Sequence, residues 1–250
     1  MIDFHSHILP KLDDGSGSAG QSLDMLRACE SQNIDTIVAS PHFYRDRETV
    51  DSFIERRGAA FQELQRQIPE GNTSPRIVLA AEVGFSAGIS YDSEIEKLCI
   101  GKSRCLMLEM PFEKWERRIF HEVRSLLLTS GVTVIIAHVE RYFRYQNKKR
   151  DLYNLIDMGA ILQLDTNIFG SRAGRRTAFN LLKIGDYFVL GTDCHNMDDR
   201  SPDFGAACEV ITAKLGIDKL NHMNALSESL ISDMTDITDL AGTTIMTGMT

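Results

Sequence analysis

Seven short apolar runs recur along the chain, at residues 2–5, 36–40, 77–82, 105–109, 132–137, 160–165 and 187–192. Most are continuous in hydrophobicity rather than alternating, which suits parallel strands covered on both faces. Helical periodicity fills the intervals, over 19–32, 49–67, 93–100, 114–130, 148–158 and 174–184, with two further helices expected at 204–215 and 219–232. Gly101, Gly131, Gly159 and Gly185 fall at or just after expected helix ends, where a left-handed cap is required. This regular strand–helix alternation predicts one parallel α/β domain over residues 1–235, closed into a TIM-like barrel. The 250 residues, 43% of them hydrophobic, suffice for one sizeable core. No linker or internal repeat interrupts the pattern. Residues 236–250, rich in Thr, Gly and Met without a clear period, are expected to be disordered.

Composition removes several classes of function. With 27 Lys and Arg against 35 Asp and Glu, the net charge of -8 argues against binding nucleic acid through bulk electrostatics. No basic region followed by an apolar core opens the chain, and no apolar run approaches membrane-spanning length, so neither a signal peptide nor membrane insertion is expected. The five cysteines are irregularly spaced and form no C-x-x-C pair, which disfavours a thiolate zinc site and fits reduced thiols in a cytoplasmic protein.

The side chains able to bind metal fall at the ends of the apolar runs. His5 and His7 form an H-x-H pair, and on an extended backbone such residues point to one side. His42 follows the second run, Glu82 closes the third, Glu109 closes the fourth, His138 follows the fifth, and Asp193 and His195 follow the seventh. Asp13 and Asp14 lie in the first loop, and the sixth run ends in Asp165-Thr166-Asn167. Any one of these has an ordinary explanation: a lone His after a strand is commonly a hydrogen-bonded loop residue, and a lone Glu commonly pairs with Arg. Their joint placement at the carboxyl ends of parallel strands is different, because a barrel gathers those ends at one mouth. Only His121 and His222 fall within helices. Mixed nitrogen and oxygen ligands without thiolate suit manganese, iron or zinc.

These residues carry a family resemblance. His5-Ser6-His7, Asp14-Gly15, Pro41-His42, Glu82, Glu109, Ala137-His138-Val139-Glu140-Arg141-Tyr142 and Asp193-Cys194-His195-Asn196 resemble the PHP (polymerase and histidinol phosphatase) superfamily. More narrowly, they look like the bacterial manganese-dependent protein-tyrosine phosphatases of capsular and exopolysaccharide operons, from Met1 to about residue 232. The resemblance implies a distorted seven-stranded (β/α)7 barrel, the PHP fold, with three manganese ions. His5, His7, Glu82 and Asp193 would hold one ion. Glu82, Glu109 and His138 would hold a second, and Asp14, His42 and His195 the third. Arg141 and Arg200 would clamp the phosphate, with Asp193 and His195 beside the reacting group. The implied partner is a phosphotyrosyl protein, the bacterial tyrosine kinase that controls polysaccharide export. Two departures stand out: Asp199 precedes Arg200 where relatives often carry Gly, and Asp165 stands where they often carry Asn.

Such a site would hydrolyse the phosphate ester with a metal-activated water, the planar Arg141 guanidinium stabilising the equatorial oxygens. Tyr44, in the segment His42-Phe43-Tyr44-Arg45, and Tyr142, in the basic segment 141–150, are expected beside the substrate ring. Cys194 and Arg200 match the Cys-x5-Arg spacing of thiolate phosphatases, but Asp193, Asp198 and Asp199 would repel both thiolate and phosphate, so a Cys194 nucleophile is not expected. Two other functions share the pattern: a small-molecule phosphatase of the histidinol-phosphate type, and a non-catalytic module in which the ions are structural.

Overall fold

The apolar runs become strands in a computed structural model that describes residues 1–69, 74–146 and 150–231. In chain order the elements are β1 (Ile2–Ser6), α1 (Ala19–Glu30), β2 (Thr36–Ala39), β3 (His42–Phe43), α2 (Val50–Gln65), β4 (Arg76–Leu79), β5 (Glu82–Gly84) and β6 (Cys105–Glu109). There follow α3 (Arg117–Ser125), β7 (Thr133–Ile136), α4 (Arg150–Asp157), β8 (Ile161–Asp165), α5 (Arg172–Leu182), β9 (Phe188–Gly191), α6 (Phe204–Leu215) and α7 (Ile217–Ile231). The strand pairings are parallel, in one sheet ordered β1-β2-β4 and another ordered β3-β5-β6-β7-β8-β9.

Among the described residues, nine strands trace seven courses. β3 continues the path of β2 beyond Ser40 and Pro41, and β5 continues β4 beyond Ala80 and Ala81. Proline has no N–H to give a ladder, which breaks the first course. The second break corrects the single strand expected at 77–82. There the buried Arg57 of α2 donates from Nη1 to the Ala80 carbonyl at 2.6 Å, satisfying an acceptor outside both strands. The ring closes where β9 runs out beside β1. Asp193 N–H donates to the His5 carbonyl at 2.8 Å and His7 N–H to the Cys194 carbonyl at 2.9 Å. Ser6 and Cys194 form a parallel bridge at the same place.

Alternation along the strands sorts two cores. Cys105 and Met107 of β6 join Phe4, Val38, Ala80, Ile135, Ala137 and Val189 in an inner cluster. Leu106 and Leu108 turn the other way, into the larger cluster shared with the helices. Leu226, Leu230 and Ile231 of α7 pack against the inner cluster. Asn224 of the same helix accepts from Ile2 N–H at 3.2 Å, so α7 covers the end where the strands begin.

Three helical expectations are corrected. The helix expected at 93–100 is only a 3-10 turn, Ile95–Leu98. The helix expected at 114–130 starts at Arg117 and ends in a π turn, Leu126–Ser130; Trp115 is held in the preceding loop by bonds to Gln146 and the Pro111 carbonyl. Gly101, Gly131 and Gly159 take positive φ as expected, with angles of 55°, 64° and 93°, whereas Gly185 is not among the positive-φ residues. The expected tail 236–250, Lys148 and Lys149 at the start of the helix expected at 148–158, and residue 232 lie outside the described residues. No described helix is long and apolar enough to cross a membrane.

Candidate metal centre

Glu82 forms the middle of the site. It opens β5, is fully buried, and brings its carboxylate among four imidazoles. Oε1 lies 2.8 Å from His138 Nε2; Oε2 lies 2.9 Å from His42 Nδ1, 3.3 Å from His5 Nε2 and 3.4 Å from His7 Nε2. His5 and His7 come from the far end of β1. Ile2 and Phe4 of the same strand face the inner core. The pairing of β1 with β2 shifts register between Asp3 and Ser6, an irregularity of the kind that re-aims a side chain.

Asp193 completes this half, its Oδ1 standing 3.5 Å from His5 Nε2 and 3.2 Å from His7 Nε2. Asp193 and His138 both adopt left-handed backbone, with φ of 49° and 31°. Such positions cost about 1–3 kcal/mol and concentrate at functional sites. Glu109, at the end of β6, places Oε1 3.6 Å from His138 Nε2. Asp14 and His195 meet on the opposite side: Asp14 Oδ1 is 3.5 Å from both His42 Nε2 and His195 Nε2. Three groups of ligand atoms lie within 4.8 Å of one another: His5, His7 and Asp193; His42, Glu82 and Glu109; and His7, Asp14, His42 and His195. These groups hold eight of the nine candidate ligands, and His138 stands outside them, beside Glu82 and Glu109. The partition differs from the expected one: His42 takes the place of His138 beside Glu82 and Glu109, Glu82 is absent from the group of His5, His7 and Asp193, and His7 joins Asp14, His42 and His195.

This donor set fits cations. Buried Glu82 Oε2, His138 Nδ1 and His195 Nε2 have no hydrogen-bond partner. Burial alone would lower the pKa of His5, yet the charges of Glu82 and Asp193 push it up to about 9. His7 is likewise raised, burial being outweighed by Asp13, Asp193 and Glu82. Glu82 is held well below the usual carboxylate range, the penalty of burial being exceeded by the charge of His5 and by the imidazoles of His138 and His42 beside it. The protein interior here calls for positive charge. His195, pushed down to about 4 by burial and then by His7, offers a neutral imidazole, the form that ligates metal.

Two arginines reach the cluster from the rim. Arg141 Nη2 binds Asp165 at 2.5 Å and also bonds Asp193 Oδ2, the oxygen that takes Arg200 Nη2 at 2.5 Å. Both side chains remain about one-third exposed, at 31% and 32%. Asp199 does not engage Arg200; it accepts from Asn196 Nδ2 at 3.0 Å. Beside them a cleft of about 530 Å³ is lined by Asp14, His42, Tyr44 and Arg47.

Tyr44 stands at this mouth, its hydroxyl donating to Glu109 Oε2 at 3.1 Å and lying 3.3 Å from His42 Nδ1. Tyr142 does not reach it. Its ring is fully buried under Phe112, Trp115 and His138, and its hydroxyl accepts from Met110 N–H at 2.9 Å, leaving no face for a substrate. The aromatic ring that does emerge is Phe112, 39% exposed and stacked on His138 at 5.8 Å and 17°. Asp13 also has another place than its neighbour. It takes His7 Nδ1 at 2.7 Å and the N–H groups of His42 and Gly15 at 2.9 Å each, orienting the histidine from behind. Gln163, the polar residue inside the apolar run of β8, contacts His5, His138 and Asp165 and is not among the residues expected at the site. Its signal was available, since an amide in a buried strand must find partners.

Known proteins resemble the chain as a whole. A family model described as capsular polysaccharide synthesis, CpsB/CapC, matches residues 1–230. The chain belongs to this family. The tyrosine-protein phosphatase CpsB of Streptococcus pneumoniae is 30% identical, the match covering 89% of this chain and 94% of that protein. The tyrosine-protein phosphatase YwqE of Bacillus subtilis is 24% identical over 94% of this chain and 93% of its own. Among solved structures, one from a study of YwqE and CpsB as unique metal-dependent tyrosine phosphatases superposes with a TM-score of 0.79 at 24% identity, covering 93% of this chain and 95% of that one. A histidinol phosphate phosphatase from Lactococcus lactis superposes with a TM-score of 0.51 at 13% identity, covering 87% of this chain and 92% of its own. These superpositions agree with an α/β barrel of the PHP kind.

Proposed function

We propose that this member of the CpsB/CapC family is a metal-dependent protein-tyrosine phosphatase, acting in the cytoplasm on a bacterial tyrosine kinase that controls polysaccharide export. His5, His7, Asp14, His42, Glu82, Glu109, His138, Asp193 and His195 hold the cations, three manganese ions when the site is full. The observation that carries this reading is the Glu82 carboxylate, fully buried among four imidazoles with Oε2 lacking a hydrogen bond. It is supported by relatives that are named tyrosine-protein phosphatases and aligned along nearly their whole length.

Bound ions supply Lewis acidity and lower the pKa of water at the site. The chain's own side chains do the rest. Arg141 and Arg200 converge on Asp193 Oδ2 from the exposed rim, so a phosphate entering there meets two guanidinium groups set to bind its equatorial oxygens. Asp193 holds both arginines through Oδ2 while Oδ1 faces His5 and His7, so one carboxylate ties the phosphate seat to the ligand cluster. Phe112 and Tyr44 wall the entrance and suit a phenyl ring. The leaving group is itself favourable: a tyrosine phenol has a pKa of about 10, so its departure makes smaller demands on a general acid than an alcohol would.

Phosphate release from a phosphotyrosyl peptide tests the proposal. Turnover is expected to vanish with a chelator and to return with Mn²⁺. Turnover that survives complete chelation would refute it, and a preference for histidinol phosphate over phosphotyrosine would move the function to a small-molecule phosphatase.

A further inference from the structure

Gln163 lies fully buried in β8, at the point where the ligand cluster meets the arginines. Its Oε1 accepts from the His138 backbone N–H at 2.5 Å and stands 3.1 Å from His5 Nδ1. Its Nε2 donates to Asp165 Oδ1 at 2.9 Å, and the other Asp165 oxygen receives Arg141 Nη2. The orientation of this amide is not a free choice. A backbone N–H can only donate, so the amide oxygen must face His138. The same oxygen leaves His5 Nδ1 only the part of donor. The nitrogen of His5 able to offer a lone pair is then Nε2, which stands 3.3 Å from Glu82 Oε2 and 3.5 Å from Asp193 Oδ1. On its other side the amide N–H steadies the carboxyl on which Arg141 rests.

We propose that Gln163 is a positioning residue that couples the two halves of the site. Its oxygen selects the tautomer of His5 for the metal, and its nitrogen sets the seat of Arg141 through Asp165. The inference rests on the function proposed above for the roles of His5 and Arg141. It predicts that the two halves can be separated by substitution at one position.

The full-length chain is compared with Gln163→Glu and Gln163→Leu in three measurements: the Mn²⁺ dissociation constant by chelator competition, the affinity of the manganese-loaded protein for inorganic phosphate, and Tm. Gln163→Glu keeps an acceptor for His138 and His5 but turns a second oxygen toward Asp165. Its Mn²⁺ affinity is expected to match wild type while phosphate binding weakens roughly tenfold. Gln163→Leu loses the acceptor, and its Mn²⁺ affinity is expected to fall about 10–100-fold, the range for outer partners of ligating histidines. Unchanged phosphate affinity in the glutamate variant, or loss of its Mn²⁺ affinity alongside, overturns the proposal. So does unchanged Mn²⁺ affinity in the leucine variant. A purely structural role would lower Tm and leave both binding constants in place. If the leucine variant does not fold, the contrast within the glutamate variant still decides. Should wild-type protein fail to turn over phosphotyrosyl peptides while these constants move as stated, the tyrosine phosphatase reading falls and the role of Gln163 stands.

Discussion

Cys194 shows how far a residue's surroundings can override its spacing. It stands six positions before Arg200, as a thiolate nucleophile would, yet its side chain is fully buried. It is a free thiol, as is Cys29, whose pKa is pushed up first by hydrogen bonding with Cys194 and then by burial. The loop offers no open cradle of N–H groups: those of His195 and Asn196 are taken by the Arg200 carbonyl, and those of Asp198 and Arg200 by Asn196 Oδ1. Cys194→Ala is therefore expected to retain at least about half of wild-type turnover, since a buried thiol remote from phosphate supplies no nucleophile. Loss of all turnover with Mn²⁺ binding intact would restore the thiolate mechanism. Side-chain type and position after a strand were enough to pick out His5, Glu82, His138 and Asp193. They could not divide Asp13 from Asp14, adjacent acids in one loop. Nor could they divide Tyr142 from Phe112, because which ring emerges depends on what packs above it.

At the scale of elements, β9 and β1 approach so closely that only glycine fits between them. A Cβ on Gly191 would stand 2.5 Å from His5 Cβ, 2.9 Å from His5 N and 2.8 Å from Gln163 Nε2. His5 is held by its own carbonyl bond to Asp193, so the neighbour cannot give way cheaply. Gly191→Ala is expected to destabilise the fold by about 1–3 kcal/mol. At roughly 2–4 °C per kcal/mol for a chain of this size, calorimetry should record the loss as a lower Tm. A Tm equal to wild type would mean that the ring closure is looser than the structure has it. The seven courses were legible because continuous apolar runs mark buried parallel strands. The break in 77–82 was not, since Ala80 and Ala81 are as apolar as their neighbours and the long-range bond from Arg57 leaves no local trace. The two-residue β3 is too short for any periodicity, although Pro41 marks where β2 must stop.

Across the whole molecule, the ligand cluster adds a second tie between strands that backbone bonds already link. Acidic side chains outnumber basic ones by eight, and several of the acids converge on the mouth, so cations should raise stability as well as supply chemistry. At a free ion concentration a thousandfold above the dissociation constant, a single site contributes about 4 kcal/mol. Stripping the ions is accordingly expected to lower Tm on the order of 10 °C, measurable by scanning calorimetry with and without chelator. An identical Tm in both conditions would mean that the cluster does not bind ions at these concentrations. The two sheets meet along a seam: β1 and β2 belong to one, whereas β3, β5, β6 and β7 belong to the other. His5 and His7 stand on the first side of it; His42, Glu82, Glu109 and His138 stand on or beside the second. Ions held between them would act as rivets through a lap joint. In the stripped protein, amide hydrogens along β1 and β2 should then exchange with solvent sooner than those of β6 and β7, because the joint would part there first.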